Sequence, residues 1–129
     1  MRARPRAVLA YNGSLTTMSR RRTRGSILPG TLDLLILRML LFGPVHGHGI
    51  AKHIRLTSED VLHVEHGSLY PALQRLERDG FIVSEWKADA RGRDMKFYRL
   101  TPTGRKQLAF EESRWKQIVR ATGRLLRPV

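Results

Sequence analysis

The sequence predicts a mainly α-helical chain with one small β-hairpin: three short helices, the hairpin, and a long last helix. Three observations lead there. Apolar residues recur at helical spacing in residues 31–42, 47–57, 68–79 and 101–126. The period switches to two on both sides of a Gly-centred turn at residues 88–94. Finally, no apolar run approaches the ~20 residues of a membrane helix, and the chain holds no cysteine, which excludes disulfide scaffolds and thiolate metal sites and is compatible with a reducing cytoplasm.

Residues 1–27 open the chain as an expected disordered basic arm. Residues 1–25 carry seven arginines, among them Arg20, Arg21 and Arg22, and no acidic residue. They show no sustained period. Three uses stay open: a DNA-contacting arm, an Arg-rich targeting peptide, or an extension ahead of a start at Met18. The remaining residues still hold 17 basic against 11 acidic side chains. A basic surplus that survives removal of the arm favours a polyanionic partner, with DNA, RNA and anionic membrane all open at this level.

Residues 31–42 form the most apolar helix. Leu32, Leu35, Ile36 and Met39 are read as one face and Leu34, Leu37 and Leu41 as the other, with only Asp33 and Arg38 interrupting the ring. A helix apolar all round needs cover on both sides. In so small a domain that means its own core on one side and a second subunit on the other, which predicts a homodimer. Gly43-Pro44 ends this helix. A second helix over residues 47–57 places Ile50 and Ile54 four apart. A polar connector follows, and residues 61–64 are read as a short strand.

Residues 66–82 are the stretch the rest is organised around. Ser68 is read as N-cap, Pro71 as a first-turn residue and Gly80 as the left-handed C′ residue. Leu69, Ala72, Leu73 and Leu76 share one face; Pro71, Gln74, Arg75 and Arg78 share the other, with Ser68 and Tyr70 at its edges. Gln and Arg carry forked donors and acceptors that match base edges in a DNA major groove. On this segment alone a solvated surface helix fits equally well. Its position after two helices and a link is that of the outward helix of a helix-turn-helix.

The hairpin after Gly80 then reads as a wing. Its tip sets Arg91 and Arg93 on either side of Gly92, and Lys87 and Lys96 stand on the legs. Thr101-Pro102 starts the last helix, Thr as N-cap and Pro at N1. Leu108, Trp115, Ile118, Val119, Thr122 and Leu125 form a stripe spaced by threes and fours with nothing left to cover within the winged unit. It is read as a dimerisation helix occupying residues 101–127, after a DNA-binding domain at 28–100.

Gly30-Thr31-Leu32, Gly43-Pro44, His46-Gly47-His48-Gly49-Ile50, Gly67-Ser68-Leu69-Tyr70-Pro71-Ala72-Leu73, Arg75-Leu76-Glu77, Gly80, Phe97-Tyr98-Arg99-Leu100-Thr101 and Gly104 together resemble the PadR family of bacterial transcriptional regulators. The likeness spans about residues 28–126. Two departures stand out: the family often has Tyr at His48 and Trp at Phe81. The resemblance implies a dimeric winged-helix repressor, closed through its last and first helices, and often answering a small molecule. Trp115, and secondarily Trp86, would stack on a flat aromatic effector, although a Trp on an apolar stripe more often only packs.

The resulting expectation is a sequence-specific regulator that binds a palindromic duplex as a homodimer, with half-sites ~34 Å apart. Gln74 and Arg75 would read base edges. Ser68, Tyr70, Arg91, Arg93 and Lys96 would hold phosphates. The Leu34, Leu37, Leu41, Leu108, Trp115, Ile118, Val119, Thr122 and Leu125 set would close the dimer. The alternative is a basic winged helix that docks RNA or protein. Enzyme chemistry finds no footing. The histidines lack a His-Glu-x-x-His pattern, no cofactor fingerprint or nucleophile elbow occurs, and His46 suits a turn or cap better than a metal.

Overall fold

The computed structural model describes residues 30–128, so the arm and its competing uses lie outside the described residues. Its elements run α1 (Thr31–Met39), β1 (Val45–His46), α2 (Gly47–Thr57), α3 (His66–Arg78), β2 (Ile82–Ala88), β3 (Asp94–Leu100) and α4 (Pro102–Leu125). The three strands form one antiparallel sheet in the order β1-β3-β2. This is a winged helix-turn-helix with a long C-terminal helix.

The core forms where α1, α2 and α3 pack together against the base of the sheet. Ile36, Leu37, Leu40, Ile50, Leu69, Leu73 and Ile82 are its fully buried side chains. The apolar ring of α1 therefore divides differently from the sequence reading. Leu34, Ile36, Leu37 and Leu40 point inward, while Leu32, Leu35 and Met39 lie half-buried at its edge. The reason is α4, which crosses α1 in the same chain and brings Leu108 into the core. Arg38 of α1 and Glu112 of α4 pair across that crossing at 3.4 Å.

The third strand lies at Val45–His46, pairing with Tyr98 and Phe97, rather than at residues 61–64, where only an isolated bridge at His63 occurs. Two residues leave no alternation to read; tertiary pairing alone makes them a strand. The α2–α3 link is pinned instead by Ser58, whose Oγ accepts the Leu62 N–H at 3.0 Å.

At its N-terminus α3 begins two residues earlier than Ser68. Glu65 is the N-cap in extended conformation, Ser68 is the third helical residue and Pro71 the sixth. Pro71 thus removes a donor from the second turn, at the exposed carbonyl of Gly67, where water can replace it. The C-terminus matches the reading of Gly80. With φ +81°, it allows the Gly80 N–H to bond the Glu77 carbonyl and the Phe81 N–H to bond the Leu76 carbonyl, both at 3.0 Å. This closure aims the chain into β2 and fixes the angle between α3 and the wing.

The start of α4 is tied to the same corner. Thr101 Oγ accepts the Gly104 N–H at 2.9 Å and faces the Gly80 and Phe81 carbonyls at 2.7 and 3.0 Å. Gly104 is obligatory there, since a Cβ would stand 2.0 Å from the Phe81 carbonyl oxygen.

Candidate nucleic-acid interface

The inward face of α3 is Leu69, Ala72, Leu73 and Leu76, which anchor the helix to the core. Opposite them Ser68, Tyr70, Pro71, Gln74, Arg75 and Arg78 are exposed. Gln74 makes no hydrogen bond or ion pair among the described residues, so both ends of its amide are available. Arg75 differs. Its guanidinium donates to Asp33 of α1 at 2.5 Å and is 44% exposed, so the expected base reader is held sideways against α1. Nothing local to α3 announced that bond, because its partner lies 42 residues away. Tyr70 stands over Gly47, where a Cβ would meet its ring at 3.0 Å. Backbone closeness at α2 therefore sets where the phenol points.

The wing tip is organised by Asp89, a residue the sequence reading passed over as turn filler. Its Oδ1 accepts the backbone N–H groups of Arg91 and Arg93, each at 2.9 Å, and Oδ2 accepts Arg93 Nε at 3.0 Å. The Arg93 backbone bond, with the Arg91 bond and the Arg93 side chain behind it, holds the Asp89 carboxyl below its usual range. The two expected phosphate contacts are therefore unequal. Arg93 is folded back onto Asp89, while the Arg91 guanidinium makes no ion pair among the described residues. Asp89-Ala90-Arg91-Gly92-Arg93, an Asp two residues ahead of an Arg-Gly, has the form of an Asx-turn, the signal that could have singled out this carboxylate. Lys96, on β3, sits a loose 3.9 Å from Glu77 and 5.7 Å from the Tyr98 ring centre.

Between helix and wing runs a row of rings. His46 stacks parallel to His48 at 6.4 Å and meets Phe97 edge-on at 5.5 Å. His48 then meets His66, and His66 meets Tyr70, at 6.1 and 5.8 Å. His46 is the N-cap of α2, with Nδ1 accepting the Gly49 N–H at 3.0 Å, in keeping with the capping role expected of it. That bond requires an unprotonated Nδ1. Burial, then the nearby His48, lowers the His46 pKa below its ordinary value, with Asp89 opposing them and His53 adding to them. Tyr98 is pushed up by burial, with Glu77 and Tyr70 adding. Among the described residues no group of three or more His, Asp or Glu side chains is arranged to hold a metal ion.

Beyond its crossing with α1, α4 leaves its apolar stripe open. Trp115, Ile118 and Val119 are 42%, 49% and 49% exposed, Leu125 is 85% exposed, and Thr122 is exposed among them. Three of the residues expected at a dimer interface are not part of that surface. Leu37 and Leu108 are core residues of this chain and Leu34 is buried under α4, while Leu41 is half-buried. Helical spacing identified the stripe correctly as apolar but could not say where α1 covers it.

Comparison with known proteins decides the family. The sequence profile described as "Transcriptional regulator PadR-like family" matches residues 36–110, more than half of the chain and all of α2, α3 and the wing. The chain belongs to the PadR-like family. Transcriptional regulator Rv3488 of Mycobacterium tuberculosis is 36% identical over 87 residues, 67% of this chain and 78% of that one. Among solved structures, a transcriptional regulator from Clostridium thermocellum matches with a TM-score of 0.70 at 28% identity, covering 76% of this chain and 95% of that one. A PadR family regulator from Eggerthella lenta matches with a TM-score of 0.66 at 31% identity, covering 78% and 85%. Membership makes this PadR-like chain a DNA-binding transcriptional regulator of winged-helix form and not an enzyme. It places α3 and the wing as the elements to examine for DNA contact. No described helix is long and apolar enough to cross a membrane.

Proposed function

We propose that the protein is a homodimeric repressor that binds a palindromic operator in the cytoplasm, one α3 entering the major groove of each half-site. The observation that carries the proposal is the outward Gln74, without a hydrogen bond or ion pair among the described residues, on a groove it shares with Lys96, together with an uncovered apolar stripe on α4. A two-fold axis along α4 supplies the missing cover for that stripe and sets two recognition helices on one duplex. Gln74 reads a base edge. Ser68, Tyr70, Arg91 and Lys96 hold phosphates, and Arg93 joins them only by leaving Asp89. Arg75 shapes the helix through Asp33 and reaches DNA only if that pair opens.

Release by a flat aromatic effector fits a second feature. A cavity of about 270 Å³ lies between α1 and α4, with Leu34, Trp115 and Ile118 as its apolar walls and Asp33, Glu111 and Arg114 as its polar ones. Asp33 also grips Arg75 of α3, so an occupant that shifts Asp33 acts on the recognition helix. A fluorescence titration of Trp115 with candidate aromatics tests this. Unchanged emission together with unchanged DNA affinity would remove the effector.

The main proposal is tested by a gel shift on the duplex upstream of the protein's own gene, with RNA as competitor. A salt-sensitive complex that survives RNA supports it. Displacement by RNA, or no duplex complex, overturns it in favour of an RNA- or protein-docking winged helix.

A further inference from the structure

We infer that the groove between α3 and the wing seats one sugar–phosphate strand of the duplex, and that Trp86 is the residue on which a deoxyribose rests. The inference rests on the DNA reading above. Trp86 is 68% exposed although it stands on the leg of the wing that faces the recognition helix. It pairs across the hairpin with Lys96, so its side chain shares a sheet face with those of Lys96 and Tyr98. That face and the entrance to α2 enclose a cavity of about 410 Å³, whose lining includes Gly47, Tyr70, Gln74, Trp86, Lys96 and Tyr98.

The layout of charge and apolar surface says what fits. Tyr70, held over Gly47, makes one wall, Tyr98 the floor and the indole the other wall. Lys96 supplies an ammonium in the middle. Its only carboxylate partner among the described residues, Glu77, is 3.9 Å away and already accepts the Ser84 hydroxyl at 2.6 Å. His48 adds a second nitrogenous ring at the α2 end, while Asp94 closes the wing-tip end with a negative charge. A strand that alternates apolar sugar faces with anionic phosphates matches this order. The sugar lies on the indole and the neighbouring phosphate on Lys96, turned away from Asp94. The groove is continuous with Gln74, so a strand seated there runs along the edge of the groove that α3 reads.

Contact with sugar and phosphate does not depend on sequence, so a mixed-sequence duplex of about three helical turns at low salt is a sufficient probe. Acrylamide quenching is compared for wild-type protein and W86F, with and without the duplex; the difference between the two proteins isolates Trp86. The duplex should shield that component. W86A should weaken duplex binding roughly three- to tenfold with the salt slope unchanged, and W86F should recover most of the loss. K96Q should instead lower the slope by about one. Because Trp86 is largely exposed, thermal unfolding of W86A should match wild type. A gel-shifted duplex that leaves Trp86 as quenchable as before, or W86A binding like wild type, overturns the inference while sparing the DNA reading. Failure of the wild-type protein to bind any duplex overturns both.

Discussion

Gln74 and Arg75 are neighbours on one helix face, and the structure assigns them different consequences when removed. Among the described residues Gln74 has no hydrogen-bond or ion-pair partner to lose. Alanine at this exposed helical position should leave stability unchanged or slightly raised, because Ala is the better helix former. On DNA, a bidentate amide–base pair is worth about 1–3 kcal/mol. A two-fold dimer makes the contact twice, so a palindromic operator should lose about 2–6 kcal/mol, on the order of 30- to 20,000-fold in affinity. Arg75→Ala behaves differently. It breaks a half-exposed ion pair to Asp33, a class worth about 0–1 kcal/mol to folding, and it should leave base preference largely intact. Fluorescence anisotropy against an operator obtained by selection, and against the same duplex with each base pair exchanged, separates the two. Gln74→Ala should stop discriminating at one base pair per half-site and Arg75→Ala should not. If Arg75→Ala relaxes specificity while Gln74→Ala does nothing, the reasoning from the Asp33 pair is refuted.

Three further outcomes follow from the geometry. Arg91→Ala should weaken binding to all duplexes alike and lower the slope of log affinity against log salt by about one, whereas Arg93→Ala should do less because Asp89 already holds that side chain. Gly104→Ala should destabilise the fold by about 2–3 kcal/mol or more in urea unfolding, because its Cβ meets the Phe81 carbonyl oxygen, which also accepts the Thr101 N–H at 3.1 Å and cannot move aside. His46 has a folded-state pKa below its unfolded one, so its contribution is complete above pH ~6.5 and is lost as pH falls through the folded value. His46→Asn, which caps without titrating, should flatten the fall in urea midpoint between about pH 7.5 and 5.5.

Local chemistry made much of this fold legible. Thr101-Pro102 marks the start of α4 and Gly80 the end of α3, because caps are written in adjacent residues. The switch to period two marks both legs of the wing. What escaped was whatever depends on distant partners. Ser68 has the composition of an N-cap, yet the chain turns at Glu65 and the helix engulfs it. The pairing of Val45–His46 exists only because β3 lies alongside. In α1, apolar on every side, the sequence cannot say which leucines face inward until α4 is seen to cross it, and that crossing takes Leu34 and Leu108 out of the proposed dimer surface. The Asp33 partner of Arg75, the expected base reader, escaped for the same reason: it is remote in sequence and close in space.

In the proposed dimer α4 joins the two chains. Ile118 and Val119 each leave about half of the side chain uncovered, and burying that remainder is worth about 1 kcal/mol per residue in each protomer. Sedimentation equilibrium of the wild-type chain and of Ile118→Asp, alone and on a palindromic duplex, measures the assembly directly. Wild type should sediment at twice the chain mass and place two chains on the duplex, and Ile118→Asp should sediment as single chains with greatly weakened operator binding. A wild-type monomer that binds the palindrome one chain at a time, with Ile118→Asp binding just as tightly, would contradict the account.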